Sequence, residues 1–144
     1  MVRIRAGRQD RVHLTNLNAN HDCGYAPEYI EAMWLMLNAP SGEPDAYVIA
    51  TDETHTVREF ADVVLAAGGS RLEWRGEGLE ERGVDADAGR VPVEVGPRYS
   101  RPTEVDLLIG DASKARQKLG WQPCTRFDEL ARIMVEADIR EMEG

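Results

Sequence analysis

With 144 residues, 42% hydrophobic and 30% charged, the chain has the size and balance of one globular domain. Its net charge of −9, from 26 acidic against 17 basic residues, argues against a nucleic-acid partner, whose phosphates need a positive footprint. No apolar run approaches the roughly 18 residues of a membrane span, and MVRIRAGRQDR has no apolar signal core, so no membrane partner is expected.

The chain opens on VRIRAGRQD, which reads as the last turns of a helix stopped by Gly7. A first residue inside an element suggests a preceding segment. Arg3, Arg5, Arg8 and Arg11 give this start a basic character that suits either a solvated helix face or a phosphate site. Val12 to Leu14 reads as a short strand, followed by a polar loop with Asn16, Asn18 and Asn20. Pro27 opens a helix on which Tyr29, Ile30, Met33, Trp34 and Leu37 recur at helical spacing through Asn38. Exposure of Met33 and Trp34 on an orphan helix would be the mark of a poorly folded remnant with no activity.

Tyr47 to Ala50, YVIA, has the short apolar run of a buried parallel strand. Thr56 and Glu59 make a capping box for a helix running to Ala67, with Gly68 and Gly69 as its stop. Leu72 to Arg75 alternates as a strand, and residues 76 to 90 read as a mobile glycine-rich acidic loop. Val91 to Val95 carries Pro92 and is expected at a sheet edge. Asp111 caps a helix ended by Gly120. Thr125 and Asp128 open a last helix whose stripe of Phe127, Leu130, Met134 and Ala137 is expected to be core. Two or three strands and four helices in βαβ order make a poor inventory for a self-contained sheet.

Chemistry does not close on these residues alone. No GxGxxG opens a helix after a strand, and no tyrosine is followed four residues later by lysine. His13, His21 and His55 lack metal-ligand spacing, so no metal is expected. Cys23 and Cys124 have no CxxC spacing and read as free thiols in a reducing compartment, which points to a cytoplasmic protein. The most informative stretch is PRYSRPTEVDLLIGDASKARQKLGWQP, from Pro97 to Pro123. Its Arg98, Arg101 and Glu104 bracket a Pro-Thr turn. A guanidinium fork beside a carboxylate suits an anion attached to a sugar or base, and a surface ion pair is the plainer alternative.

This stretch closely resembles the PRYFRPTEVDLLxGDxSKAxxxLGWxP string of the GDP-mannose 4,6-dehydratases, which are extended short-chain dehydrogenase/reductases. Residues Asp22 to Leu37 are similar to the family's DWGYAPEYVEAMWLMLQ, Tyr47 to Thr51 and His55 to Phe60 to its YVIATGExHSVREF, and Val12 to Gly24 to its VHLGNLDAxRDWG. The resemblance implies an α/β fold: the C-terminal part of an extended short-chain dehydrogenase/reductase. That part would be residues 1–144 as the substrate-binding portion, with a late helix and strand of the Rossmann domain and its N-terminal half missing. Residues 22–51 would pack against the dinucleotide-binding domain.

The implied activity is conversion of GDP-D-mannose to GDP-4-dehydro-6-deoxy-D-mannose and water. NADP accepts and returns the hydride, a tyrosine helps oxidise C4, and a glutamate removes the C5 proton. The Gly-rich turn, the Tyr-x-x-x-Lys pair and the catalytic threonine and glutamate lie in the family's N-terminal half and have no counterpart here. By this resemblance the chain carries no catalytic residue, and NADP binding by it alone is not expected. Arg101 matches the arginine on the GDP phosphates, Glu104 the acidic residue at the ribose end, and Asn16 a segment near the nucleotide. His21 stands where the family has another phosphate-binding arginine, and Cys23, Thr15 and Ser100 also depart from the pattern. Exchanging an arginine fork for imidazole removes a charge-assisted bond of about 1.5–3 kcal/mol. The implied partners are GDP-mannose and either a full-length dehydratase subunit or a second copy of the chain. The alternative reading is a non-catalytic remnant, or a binding or assembly module that associates with a complete dehydratase subunit.

Overall fold

The computed structural model describes residues 2–39, 42–96 and 109–143. Five helices and six short strands lie among them. The basic start is helix α1 (Val2–Arg5), followed by strand β1 (Val12–Leu14). The asparagine loop ends in β2 (Asn20–His21), and helix α2 spans Ala26–Leu37 with Pro27 in its first turn. Asn38 closes α2, its backbone N–H and its Nδ2 both donating to the Trp34 carbonyl, at 3.1 and 2.8 Å. Strand β3 (His55–Thr56) pairs antiparallel with β2 and runs straight into helix α3 (Val57–Ala67).

The capping box at α3 forms as its sequence requires. Thr56 Oγ1 accepts from the Glu59 N–H at 3.1 Å, and Glu59 Oε2 accepts from the Thr56 N–H at 2.7 Å. Helix α4 (Ser113–Leu119) ends at Gly120, whose φ of +68° is the left-handed cap that glycine adopts at least cost. Its start lies one residue past expectation. Ala112 holds the cap position, while Asp111 Oδ1 accepts from the Ser113 N–H at 2.9 Å.

Four strands form one sheet in the order β1-β6-β5-β4, where β4 is Leu72–Arg75, β5 is Arg82–Asp85 and β6 is Val93–Val95. β1 and β6 are parallel, with His13 opposite Glu94, and the other two pairs are antiparallel. This corrects two expectations. Residues 76–90 are not a mobile loop: a 3₁₀ turn at Gly78–Glu80 leads into β5, where Gly83, Val84 and Asp85 are buried. Their glycine and acidic composition imitates a loop, but Gly83 is where Leu72 and Trp74 of β4 pack closely across the strand pair. β6 is not an edge either, because Pro92 lies just before the ladder and needs only its carbonyl, which accepts from the Val12 N–H at 2.8 Å.

Helix α5 (Phe127–Glu143) packs on α3, with α1 also against it. Its buried face is Phe127, Leu130, Ala131 and Val135, whereas Met134 is 47% exposed and Ala137 is exposed. The expected stripe therefore turns by about one residue, onto the line that meets α3. Thr125 does not cap α5; its N–H and Oγ1 both donate to Glu28 Oε1, at 2.8 and 2.7 Å.

A second cluster joins α2 and α4 through Ala32, Ala50, Ala112 and Ala115 around Trp121. Trp121 Nε1 donates to the Glu28 carbonyl at 2.9 Å, so the indole buries its ring without stranding its polar edge. On α2 the apolar residues divide between two faces. Ala32 is buried and Leu35 and Met36 pack partly against the cluster, while Ile30, Met33, Trp34 and Leu37 are 54–86% exposed. Residues 47–50 form no strand either. Ala50 is buried, Val48 is 52% exposed, and no backbone hydrogen bond joins this run to another described residue. Its composition suits a strand, but a strand exists only with a ladder partner, and none of the described strands lies beside it.

Candidate functional site

The loop from Thr15 to Asp22 follows directly from β1 and carries Asn16 and His21, the two sequence-selected residues that are described. Leu17 and Ala19 anchor it, at 3% and 1% exposure. Asn16 Oδ1 accepts from the Asn18 N–H at 3.0 Å, closing an Asx turn, and the Ala19 N–H reaches the Asn16 carbonyl at 3.3 Å. The first turn of α3 then takes two loop carbonyls: Val57 N–H donates to Ala19 and Arg58 N–H to Leu17, at 3.1 and 3.0 Å. These free helix-start donors need acceptors in any case, so helix and loop satisfy one another.

Arg58 adds side-chain bonds to the same loop. Its Nη2 donates to Asn18 Oδ1 at 3.2 Å, its Nη1 pairs with Glu81, and its guanidinium lies 4.7 Å from the centre of the Trp74 ring. Trp74 Nε1 in turn donates to Asp62 at 2.9 Å. Burial pushes the Asp62 carboxyl up, against the opposing pull of the Trp74 bond and the Arg58 charge. Pattern reading of the sequence did not single out Arg58, Asn18 or Trp74. The only signal was that Arg58 sits within the VREF string.

His21 is exposed on β2, directly opposite His55 in the β2–β3 register. His55 stacks on Phe127 with ring centres 3.7 Å apart, and Glu53 and Glu59 lie 3.7 and 3.8 Å from its nitrogens. Beyond His21, Asp22 accepts from the N–H and Oγ1 of Thr51, both at 2.8 Å. The Cys23 thiol is pushed up, chiefly by burial and next by Asp22, so it is a poor nucleophile. Gly24 lets the Tyr29 ring lie against the backbone, since a Cβ there would stand 2.3 Å from that ring. Burial, then the Asp22 charge, raises the Tyr29 phenol as well.

Arg101 and Glu104 lie outside the described residues, in 97–108. Gly96, just before that segment, donates its N–H to the Leu14 carbonyl at 2.8 Å, at the end of β1 that leads to Asn16. An open cleft of about 460 Å³ beside β5 and β6 is lined by Glu80, Glu81, Glu94 and Arg82. Its excess of carboxylates sets it against a diphosphate.

Among the described residues, no three His, Cys, Asp or Glu side chains are grouped to hold a metal ion, and no helix is long and apolar enough to cross a membrane. The described residues do not fit a dinucleotide pyrophosphate. Gly76 and Gly78 stand beside Glu77, Glu80 and Glu81 and precede a three-residue 3₁₀ turn, not an α-helix whose N-terminus could receive phosphate.

The family profile for GDP-mannose 4,6 dehydratase matches residues 1–134. The chain belongs to the GDP-mannose 4,6-dehydratase family. It is 48% identical over 141 residues to GDP-mannose 4,6-dehydratase of Sinorhizobium fredii (strain HH103), covering 98% of this chain and 40% of that protein. To GDP-mannose 4,6 dehydratase of Homo sapiens it is 46% identical over 142 residues, covering 99% and 38%. This member of the family thus spans about two fifths of the length of the curated relatives it matches.

Solved structures share its fold. RMD from Pseudomonas aeruginosa, complexed with NADPH, superposes with a TM-score of 0.68 at 15% identity, over 93% of this chain and 38% of that one. UDP-glucose-4-epimerase from Stenotrophomonas maltophila, with bound NAD, gives 0.71 at 16% identity, over 98% and 38%. The chain has the α/β fold of part of an extended short-chain dehydrogenase/reductase.

Proposed function

We propose that the chain is the nucleotide-sugar-binding portion of a GDP-mannose 4,6-dehydratase, which turns GDP-mannose into GDP-4-dehydro-6-deoxy-D-mannose and water. The family match across residues 1–134 carries this reading. The braced loop that presents Asn16 and His21 next to the end of β1 supports it. In this reading Arg101 holds the GDP phosphates, Glu104 the ribose end and Asn16 the nucleotide. His21 replaces an arginine fork by a ring with one fewer charge-assisted bond. NADP belongs to the complete enzyme and is not bound by this chain alone. The setting is cytoplasmic, as two free thiols suit.

Titration calorimetry with GDP and GDP-mannose tests the reading. Binding should be measurable, and Arg101→Ala should weaken it about tenfold or more, the loss of one charge-assisted bond. No heat at millimolar ligand would overturn it.

A second reading, that the chain acts as an assembly module on a complete dehydratase subunit or a second copy, is favoured by residues 22–51. Here α2 leaves Ile30, Met33, Trp34 and Leu37 exposed at i, i+3, i+4 and i+7, and residues 47–50 have no ladder among the described residues. An uncovered outer helix face and an apolar run with no ladder among the described residues suit the sheet of a dinucleotide-binding domain, whose parallel strands are covered on both faces. Sedimentation of the chain with and without a full-length dehydratase checks this; a monomer in both cases would end it.

A further inference from the structure

Resting on the nucleotide-sugar reading for its ligand, we propose that Arg58 is a positioning residue that acts through Asn18 to orient the Asn16 amide. A side-chain amide has one acceptor and two donor hydrogens. In Asn16 the acceptor is used internally, by the Asn18 N–H at 3.0 Å. Its Nδ2 has no partner among the described residues, so both donor hydrogens and one remaining lone pair are left for a ligand, donation being the larger share. Donors suit the oxygens of a phosphate, a ribose or a base carbonyl. Were the Asx turn to open, the amide could rotate and offer the wrong atom to the same ligand.

What holds the turn is the position of Asn18. The backbone bonds from Val57 and Arg58 fix its neighbours Ala19 and Leu17, and would survive most substitutions in α3. Two side chains engage Asn18 itself: Asn20 Nδ2 donates to its carbonyl at 3.3 Å from within the loop, and Arg58 Nη2 donates to its Oδ1 at 3.2 Å, the one of the two that ties it to α3. The guanidinium is placed for this by Glu81 on one side and the Trp74 face on the other. One fork nitrogen is committed to Glu81 and the other to Asn18, and Asp62 adds a second nearby carboxylate. Arg58 is therefore neutralised locally, which suits a brace and not a phosphate contact.

The test uses the ¹⁵N-labelled chain. Asn18→Ala removes the acceptor for Arg58 without touching the Arg58, Glu81 and Trp74 packing, Arg58→Met removes the brace, and Asn18→Asp keeps an acceptor. Amide exchange at position 18, the Asn16 Nδ2 signals, GDP affinity and thermal midpoint are read for each. In Asn18→Ala and Arg58→Met the position-18 amide should exchange about tenfold faster, the Asn16 signals should shift, and GDP should bind about fivefold to tenfold weaker. Asn18→Asp should restore exchange and affinity toward those of the unaltered chain.

If Arg58→Met fails to fold, Asn18→Ala decides. Unaltered exchange and Asn16 signals in Asn18→Ala overturn the positioning role, as does a fall in thermal midpoint with no change at Asn16. If the unaltered chain binds no GDP, the ligand reading falls, and amide exchange still decides the role of Arg58.

Discussion

Asp52 is the one non-glycine residue with positive φ among the described residues, at +63°, and it pairs with Arg116 across the surface. The family string carries glycine at this place. Aspartate tolerates the left-handed region better than most residues, but glycine occupies it without a Cβ penalty. The exposed ion pair offsets less than about 1 kcal/mol. Asp52→Gly should therefore leave urea stability unchanged or raised by up to about 1 kcal/mol, and Asp52→Val should lower it by about 1–2 kcal/mol. Asp85 sets a second residue-scale outcome. It is 6% exposed and accepts from the Ala88 and Asp87 N–H groups at 2.8 and 3.0 Å. The Ala88 bond foremost, with the Ser70 hydroxyl, holds its carboxyl below the ordinary value of 3.8. A carboxyl depressed by folding stabilises the native state above its unfolded value and loses that contribution as pH falls through the folded value. Urea midpoints should drop below about pH 4, and Asp85→Asn should flatten that acid limb.

Helix α3 shows how local signals become tertiary links. Its capping box was readable because Thr56 and Glu59 satisfy each other within four residues, whatever lies around them. Thr56→Ala should cost about 1 kcal/mol of unfolding free energy by urea denaturation. The same helix start also binds the Asn16 loop, and that partnership left no sequence pattern, since backbone donors carry no residue identity. Strand β5 was missed for the opposite reason. Its side-chain pattern is interrupted at Gly83, and the glycine that weakens the pattern is what admits Leu72 and Trp74. In α5 the period was right and the face was wrong by one residue, because helical spacing says which residues share a side but not which side meets α3.

At the scale of the molecule, two tryptophans separate what this chain buries from what it leaves for another surface. Trp121 is 2% exposed inside the α2–α4 cluster, and Trp34 is 62% exposed on the outer stripe of α2. Trp121→Ala should cost about 3–5 kcal/mol of unfolding free energy. Trp34→Gln should change it by less than about 0.5 kcal/mol, while reducing any association read by sedimentation. Equal losses at both positions would mean that the α2 stripe is packed within the chain. The sequence by itself determined the helices with their stops, strands β1 and β4, and the family, because caps, spacing and long matched strings are local and survive without a partner. It also selected Asn16 and His21 for the site, through that family resemblance. Only the tertiary structure decided that β6 is central, that 76–90 contains a strand, that Arg58 braces Asn18, and that residues 47–50 have no ladder among the described residues. Each of these is a pairing between distant segments, and a pairing belongs to two stretches of chain at once.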